Sequence, residues 1–499
     1  MASVKAYSGS NAFIFVSYAH LDANLVLPII EYLQRLGYNV WFDEGIGIGR
    51  KWANTLHSRI DDCACFLLFL SERSAASPEC EKEIRRALDK GKSIVTVFLE
   101  PVQLTGDIAD ELMAIQGIEK FKLPDESSFY IKLLEHELFE PCRDTDEFQI
   151  IDDALVRYNG DAGNVKLPDR VTQIGYNAFE GRASLKWISI PAGVDRIGKF
   201  AFNDTPGLHE FEVDTNNAFF SARDGVLFNK SQIYLLCYPS AKPDAAYNVP
   251  NGVKYISMVA FAKANLLTNI ALPDSVSYIG DRAFEACRNL VSIRLGNRAT
   301  RLRPYTLSRC SSLVLCELPS TLESLEDGVF SGCTSLKAIE LPASLKQLGE
   351  MTFAHCSALE SIQLPASVGV VPEYCFHECT SLASIGLESV RIVQDYAFKN
   401  CESLSDIRFS GKLERIGRAA FSGCSALEQL TIPGSVRTVG EYAFDRCPNL
   451  RSVMIGDGVE TIAKGAFDKD FALERVVLPT SVRTIAEKAF PENVELVRA

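Results

Sequence analysis

Between an acidic pair, Asp43 and Glu44, and a basic pair, Arg50 and Lys51, the chain places glycines at 45, 47 and 49. Glycine-rich loops hold phosphates because a missing Cβ lets backbone N–H groups approach the ligand. Here the glycines are two residues apart, which is not the dinucleotide fingerprint, and Lys51 is not followed by the Ser or Thr of a P-loop. Upstream, Ser17, Tyr18 and His20 offer hydroxyls and an imidazole just after the apolar run "AFIFV" (12–16). Downstream, "SPECEKE" (77–83) offers Glu79, Glu81 and Glu83 at a helix start. A carboxylate there is either a solvated charge favoured by the helix dipole or a fixed negative charge used in a reaction. Spacing alone leaves both readings of Glu83 open.

The elements that must position these residues alternate along 12–140. "AFIFV", "NVWF" (39–42), "CFLLFL" (65–70) and "SIVTVFLE" (93–100) read as strands. "DANLVLPIIEYLQRLG" (22–37), "KWANTLHSRIDDC" (51–63), "SPECEKEIRRALDKG" (77–91) and "DESSFYIKLLEHEL" (125–138) read as helices, with Pro78 in a first turn and Gly37 and Gly91 as stops. Apolar strands without clean alternation, each followed by a helix, predict a parallel sheet covered on both faces. Ligands then bind at the carboxyl edge, where Ser17, Tyr18 and His20 fall.

The remainder is a repeat array. A Phe recurs at 179, 202, 261, 284, 330, 353, 376, 398, 421, 444, 467 and 490, and Leu307 fills the empty place. Steps are 23 residues apart from one of 22 and one of 59. The unit "LPASLKQLGEMTFAHCSALESIQ" (341–363) predicts one short strand, a proline-bearing turn and a tight helical segment. Units this short stack into a solenoid because none buries its own apolar face. The long step predicts a hairpin between Val226 and Cys237. Cysteines at 287, 310, 333, 356, 379, 401, 424 and 447 follow the marker by three residues. Their repeat spacing is not that of a metal knuckle. No metal site is expected, and the thiols read as small fillers of a narrow interior.

The net charge of −13 argues against nucleic acid or an anionic membrane as partner. No apolar run approaches a transmembrane span, and the N-terminal apolar stretch is too short for a signal peptide. A cytoplasmic protein with free thiols is expected. Outward strand residues such as Lys186, Trp187 and Ser189, or Glu428, Gln429 and Thr431, are mixed and polar, without an aromatic stripe or basic track. An unidentified protein ligand suits such a surface.

Both halves resemble known families. "FIFVSYAHLD", "GYNVWFDEGIGIG", "CFLLFLSERSAASPECEKEI" and "KSIVTVFLEP" resemble, in order and spacing, the Toll/interleukin-1 receptor (TIR) domain. The repeats resemble BspA-type leucine-rich repeats. The expected fold class is therefore α/β: a flavodoxin-like parallel five-stranded TIR sheet at 1–140, a connector or cap at 141–166, and a solenoid at 167–499 with a hairpin insertion at 214–250.

The TIR resemblance implies cleavage of NAD, as substrate and not as cofactor, between nicotinamide and ribose. It implies Glu83 as the catalytic carboxylate, separated by two residues from a frequent Trp-Cys pair, here Glu79 and Cys80. Ser17, Tyr18, His20, Asp43, Glu44, Gly45, Trp52 and Ser71 would bind substrate. Trp52 reads equally as a core residue of its helix, and Ser71 as a helix cap. The glycine stretch matches the family's BB loop, at contacts with other TIR domains. The resemblance further implies control by self-assembly, hydrolysis or cyclisation as the outcome, and bacterial antiviral defence. A non-enzymatic adaptor and a repeat adhesin are the alternatives.

Overall fold

The computed structural model describes residues 4–44, 50–102, 109, 111–112, 115, 117–143 and 146–498; of residues 50–54 and 127 it describes the backbone alone. The chain forms two compact units. One is Met1–Asp161 with Arg170–Phe179 and Arg196–Ala201, and the other is Ala162–Asp169, Glu180–Asp195 and Phe202–Ala499.

The first unit holds five parallel strands in the order β2-β1-β3-β4-β5. They are β1 (Ile14–Ser17), β2 (Val40–Phe42), β3 (Cys65–Leu70), β4 (Ser93–Phe98) and β5 (Ile118–Glu119). The helices are α1 (Ala23–Arg35), α2 (Arg50–Asp62), α3 (Glu72–Ala75) and α4 (Pro78–Asp89), with a further helix at Glu126–Leu134. Pro78 stands at the start of α4, and Gly37 and Gly91 take φ values of 89° and 61° just beyond their helices. β1 and β3 are buried throughout.

Strand alternation sorts their side chains to two faces. Ile14, Val16, Leu67 and Phe69 pack with Ile29, Ile30 and Leu33 of α1. Phe15, Phe66 and Leu68 pack with Ile60 of α2 and with Ile84 and Ala87 of α4. Trp41 of β2 stacks on Phe15 with centroids 4.9 Å apart. Within the same unit, Phe148–Ile151 and Ala154–Tyr158 form an antiparallel hairpin that continues in parallel into Gln173–Ile174.

The second unit corrects the expected repeat anatomy. A unit carries two short strands rather than one, such as Gln347–Leu348 and Ser361–Ile362. Strands of each kind pair in parallel with those of the next repeat. The marker segment is a pair of tight turns and not a helical piece. Residues two before and two after the marker Phe are left-handed: Met351 (φ 53°) and His355 (φ 61°) flank Phe353, and Gly328 (φ 60°) and Gly332 (φ 77°) flank Phe330. Two reversals of hand within five residues stop a helix and drive the Phe inward, and the periodicity of apolar residues does not reveal them.

The marker rings form a ladder. Successive rings from Phe330 to Phe490 stack at 5.0–5.4 Å with planes within 10°. Phe261 and Phe284 stack at 5.0 Å with planes 24° apart, and buried Leu307 interrupts the series. The cysteine ladder lies beside it and is fully buried. Each thiol donates to the marker carbonyl of the preceding repeat, as Cys356 does to Phe330 at 3.1 Å and Cys379 to Phe353 at 3.1 Å. The thiol is thus a donor as well as a filler. In the long insertion, Phe220–Arg223, Val226–Asn229 and Tyr234–Cys237 pair antiparallel in sequence. On the second set of strands, which the sequence reading did not foresee, Tyr234, Tyr255 and Tyr278 stand side by side.

Candidate active site

Ser17 ends β1, on the face of the sheet that α4 covers. Along α4, Cys80, Ile84 and Ala87 are buried, and Glu83 shares their side because it is three residues from one and four from another. Helical spacing therefore points its carboxyl at the carboxyl end of β1. Glu83 is half-buried there, and the Ser17 hydroxyl donates to its Oε2 at 2.6 Å. Glu81 lies on another face, where it pairs with Arg85 at 2.8 Å. α4 is anchored to α2 by a two-pronged ion pair, Arg86 to Asp61, at 2.7 and 2.6 Å.

The environment of Glu83 disfavours its charge. Burial is the main cause, opposed by the Ser17 hydrogen bond and aided by the charges of Asp43 and Glu79; its pKa is pushed up to about 7. A carboxyl poised near neutrality at a sheet edge has the properties of a reactive group.

Tyr18, the residue after Ser17, is buried on the α1 side of the sheet, its hydroxyl 3.4 Å from the Asp43 carbonyl, and burial with the Asp43 charge pushes its pKa up to about 12. The exposed His20 ring meets the Tyr18 ring edge-on, with Nε2 3.3 Å from Asp43 Oδ2. Ser17 and Glu83 thus form one pair, and Tyr18, His20 and Asp43 a second group whose Asp43 charge also reaches Glu83. Glu44 is engaged elsewhere, accepting from the Ala6 N–H at 2.6 Å. Gly45 and the side chain of Trp52 lie outside the described residues.

Ser71 belongs to a second network. It caps α3 in a reciprocal box with Ser74, and its hydroxyl donates to Asp22 at 2.5 Å. Arg73 donates to the other oxygen of Asp22 at 2.5 Å. Asp22 is only 2% exposed. From sequence it reads as an acidic residue opening α1, yet its side chain caps no backbone N–H. It instead ties the start of α1 to the loop after β3. No local pattern signals this, because its partners lie 49 and 51 residues away.

A family model of the TIR domain matches residues 14–133. One of the BspA type leucine rich repeat region matches 149–241, 245–319, 312–391 and 384–497. No curated protein matches the chain. Among solved structures, a leucine-rich repeat protein from Bacteroides ovatus is 22% identical with a TM-score of 0.49, over 71% of this chain and 96% of its own. A leucine rich cell surface protein from Faecalibacterium prausnitzii is 23% identical with a TM-score of 0.43, over 67% and 93%. A leucine-rich repeat protein from Eubacterium ventriosum is 27% identical with a TM-score of 0.44, over 52% and 64%.

Proposed function

Because the chain belongs to the BspA-type leucine-rich repeat family and carries a TIR domain at residues 14–133, we propose that it is a TIR effector that cleaves NAD between nicotinamide and ribose. The observation that carries this reading is the Glu83 carboxyl, held by Ser17 at the carboxyl end of β1 and poised near neutrality.

Nicotinamide is a cationic pyridinium in NAD, and it leaves as a neutral base with the electron pair of the broken C–N bond. No strong general acid is needed. The ribose carbon becomes oxocarbenium-like, as in glycoside hydrolysis. The ionised Glu83 stabilises that charge and orients the ribose hydroxyls. Water then adds and loses a proton, giving ADP-ribose. Addition of an adenine nitrogen of the same molecule gives a cyclic isomer instead. Tyr18, His20 and Asp43 line the same edge and suit ribose, adenine or phosphate contacts.

We further propose that TIR self-association controls the reaction and that the repeats receive a protein signal, in a cytoplasmic antiviral role. The fifteen thiols, without a disulfide among the described residues, fit a reducing compartment. Among the described residues no helix is long and apolar enough to cross a membrane.

Incubation of the purified chain with NAD at high protein concentration, followed by chromatography, tests the reading. Nicotinamide with ADP-ribose or its cyclic isomer is the expected product set. A specific observation favours a non-enzymatic adaptor: an exposed Glu79 stands where many TIR enzymes have Trp. Absence of turnover in every assembled state would select that alternative.

A further inference from the structure

Two of the six histidines meet in adjacent repeats, far from the TIR sheet in sequence. His355 follows the marker Phe353 by two residues, and His377 and Glu378 follow the next marker, Phe376, by one and two. Stacking of the repeats brings them together. The His355 ring Nδ1 lies 2.9 Å from Glu378 Oε2, and His377 Nε2 lies 3.4 Å from Glu378 Oε1. One ligand atom from each residue falls within 4.8 Å of the others.

From this geometry we propose that His355, His377 and Glu378 bind one divalent transition ion of the Zn²⁺ class, with water completing the shell.

Bond lengths near 2.1 Å and tetrahedral angles put neighbouring ligand atoms about 3.4 Å apart. The three ligand atoms lie within 4.8 Å of one another, so small side-chain rotations bring them to that spacing. Two imidazoles and one carboxylate suit Zn²⁺, Co²⁺ or Ni²⁺, whereas Mg²⁺ and Ca²⁺ require oxygen ligands.

The backbone is already fixed. His355 N–H donates to the His377 carbonyl at 2.7 Å, and Glu378 N–H to the Lys399 carbonyl at 2.9 Å. A supporting bond orients the second ring as well. His377 Nδ1 lies 3.2 Å from the Lys399 carbonyl, which can only accept. Nδ1 therefore carries the proton and Nε2 presents its lone pair toward Glu378, the arrangement usual for a metal-ligating histidine. Tyr374 holds the same ring edge-on at 5.5 Å. The Lys399 ammonium, the nearby like charge, lies over the Tyr396 ring. The side chains of His355 and Glu378 remain 51% and 44% exposed, which leaves an entry path.

Co²⁺ titration of the full chain, followed by visible absorption, tests the site. One Co²⁺ per chain is expected, with ligand-field bands and without thiolate-to-cobalt charge transfer. His377→Ala and Glu378→Gln should each weaken binding at least tenfold. Zn²⁺ should raise the melting temperature of the wild type and not of either variant. Glu378 is half-buried and Glu378→Gln keeps its size, so that variant remains informative if His377→Ala perturbs folding. No binding, wild-type affinity in both variants, or a thiolate charge-transfer band would overturn the proposal.

Discussion

The Ser17 hydroxyl donates to Glu83 Oε2 at 2.6 Å, across 66 residues of sequence. This hydrogen bond stabilises the ionised carboxyl against its own burial, which is the larger effect. Removing the hydroxyl lets burial act unopposed. A hydrogen bond to a charged group is worth about 1.5–3 kcal/mol, or roughly one to two pH units. The Ser17→Ala variant should move the midpoint of the NAD cleavage profile alkaline by about one unit. An unmoved midpoint in an active variant would show that Ser17 does not set the charge of Glu83.

The profile of the wild type follows from the same group. The proposed cleavage needs the carboxylate, and its pKa is pushed up to about 7. Below that value kcat/KM should fall about tenfold per pH unit, and above it the rate should level. Glu83→Ala should abolish turnover, whereas Glu81→Ala, which removes only a surface pair with Arg85, should retain most of it. Two variants both cleaving at the wild-type rate would remove Glu83 from the mechanism.

A stability cost accompanies the poised carboxyl. Folded Glu83 keeps its proton up to about pH 7, against an ordinary value of 4.5. Between those values the folded state binds more protons than the unfolded one. The site's contribution to stability is therefore full below 4.5 and is lost as pH rises through 7. At pH 8, Glu83→Gln should stabilise the TIR unit by about 1–3 kcal/mol, and at pH 4 it should change little. Thermal melts at both pH values check this, and a variant equally stable at pH 8 would place the carboxyl in water.

The thiol ladder makes a separate prediction. Titration after denaturation without reductant should find all fifteen cysteines free. Cys356 is fully buried and donates to the Phe330 carbonyl. Cys356→Asn should destabilise the array by about 2–4 kcal/mol through overpacking and an unpaired amide. Unchanged denaturant unfolding would contradict the burial.

Control by assembly predicts a concentration dependence. If a neighbouring TIR domain must complete the site, activity should rise more steeply than linearly with protein concentration. Constant specific activity over a hundredfold dilution, in a chain that sediments as a monomer, would exclude this control.

Much of this was legible in the sequence for physical reasons. Helical spacing places Glu83 beside Cys80, Ile84 and Ala87, and a buried parallel sheet sends its strand ends to one edge. The marker Phe gives the repeat register directly. Other features depend on contacts between distant segments. Asp22 reads as a local helix opener because Ser71 and Arg73 are out of view. β5 is two residues long and has no pattern of its own. The left-handed residues around each marker are of many types, from Met351 to Glu378, so no residue preference announces the turn. His355 and Glu378 meet because they are equivalent positions one repeat apart.

The gap in the aromatic ladder at Leu307 has its own consequence. An array coupled only between neighbours behaves like a one-dimensional magnet, in which a boundary between ordered and melted stretches settles at the weakest bond. Phe284 and Phe330 each have a ring partner on one side, and the aliphatic Leu307 stands between them. A domain wall therefore costs least there. Fraying that enters from the C-terminal repeats is expected to pause at Leu307, with the repeats on either side melting as separate blocks.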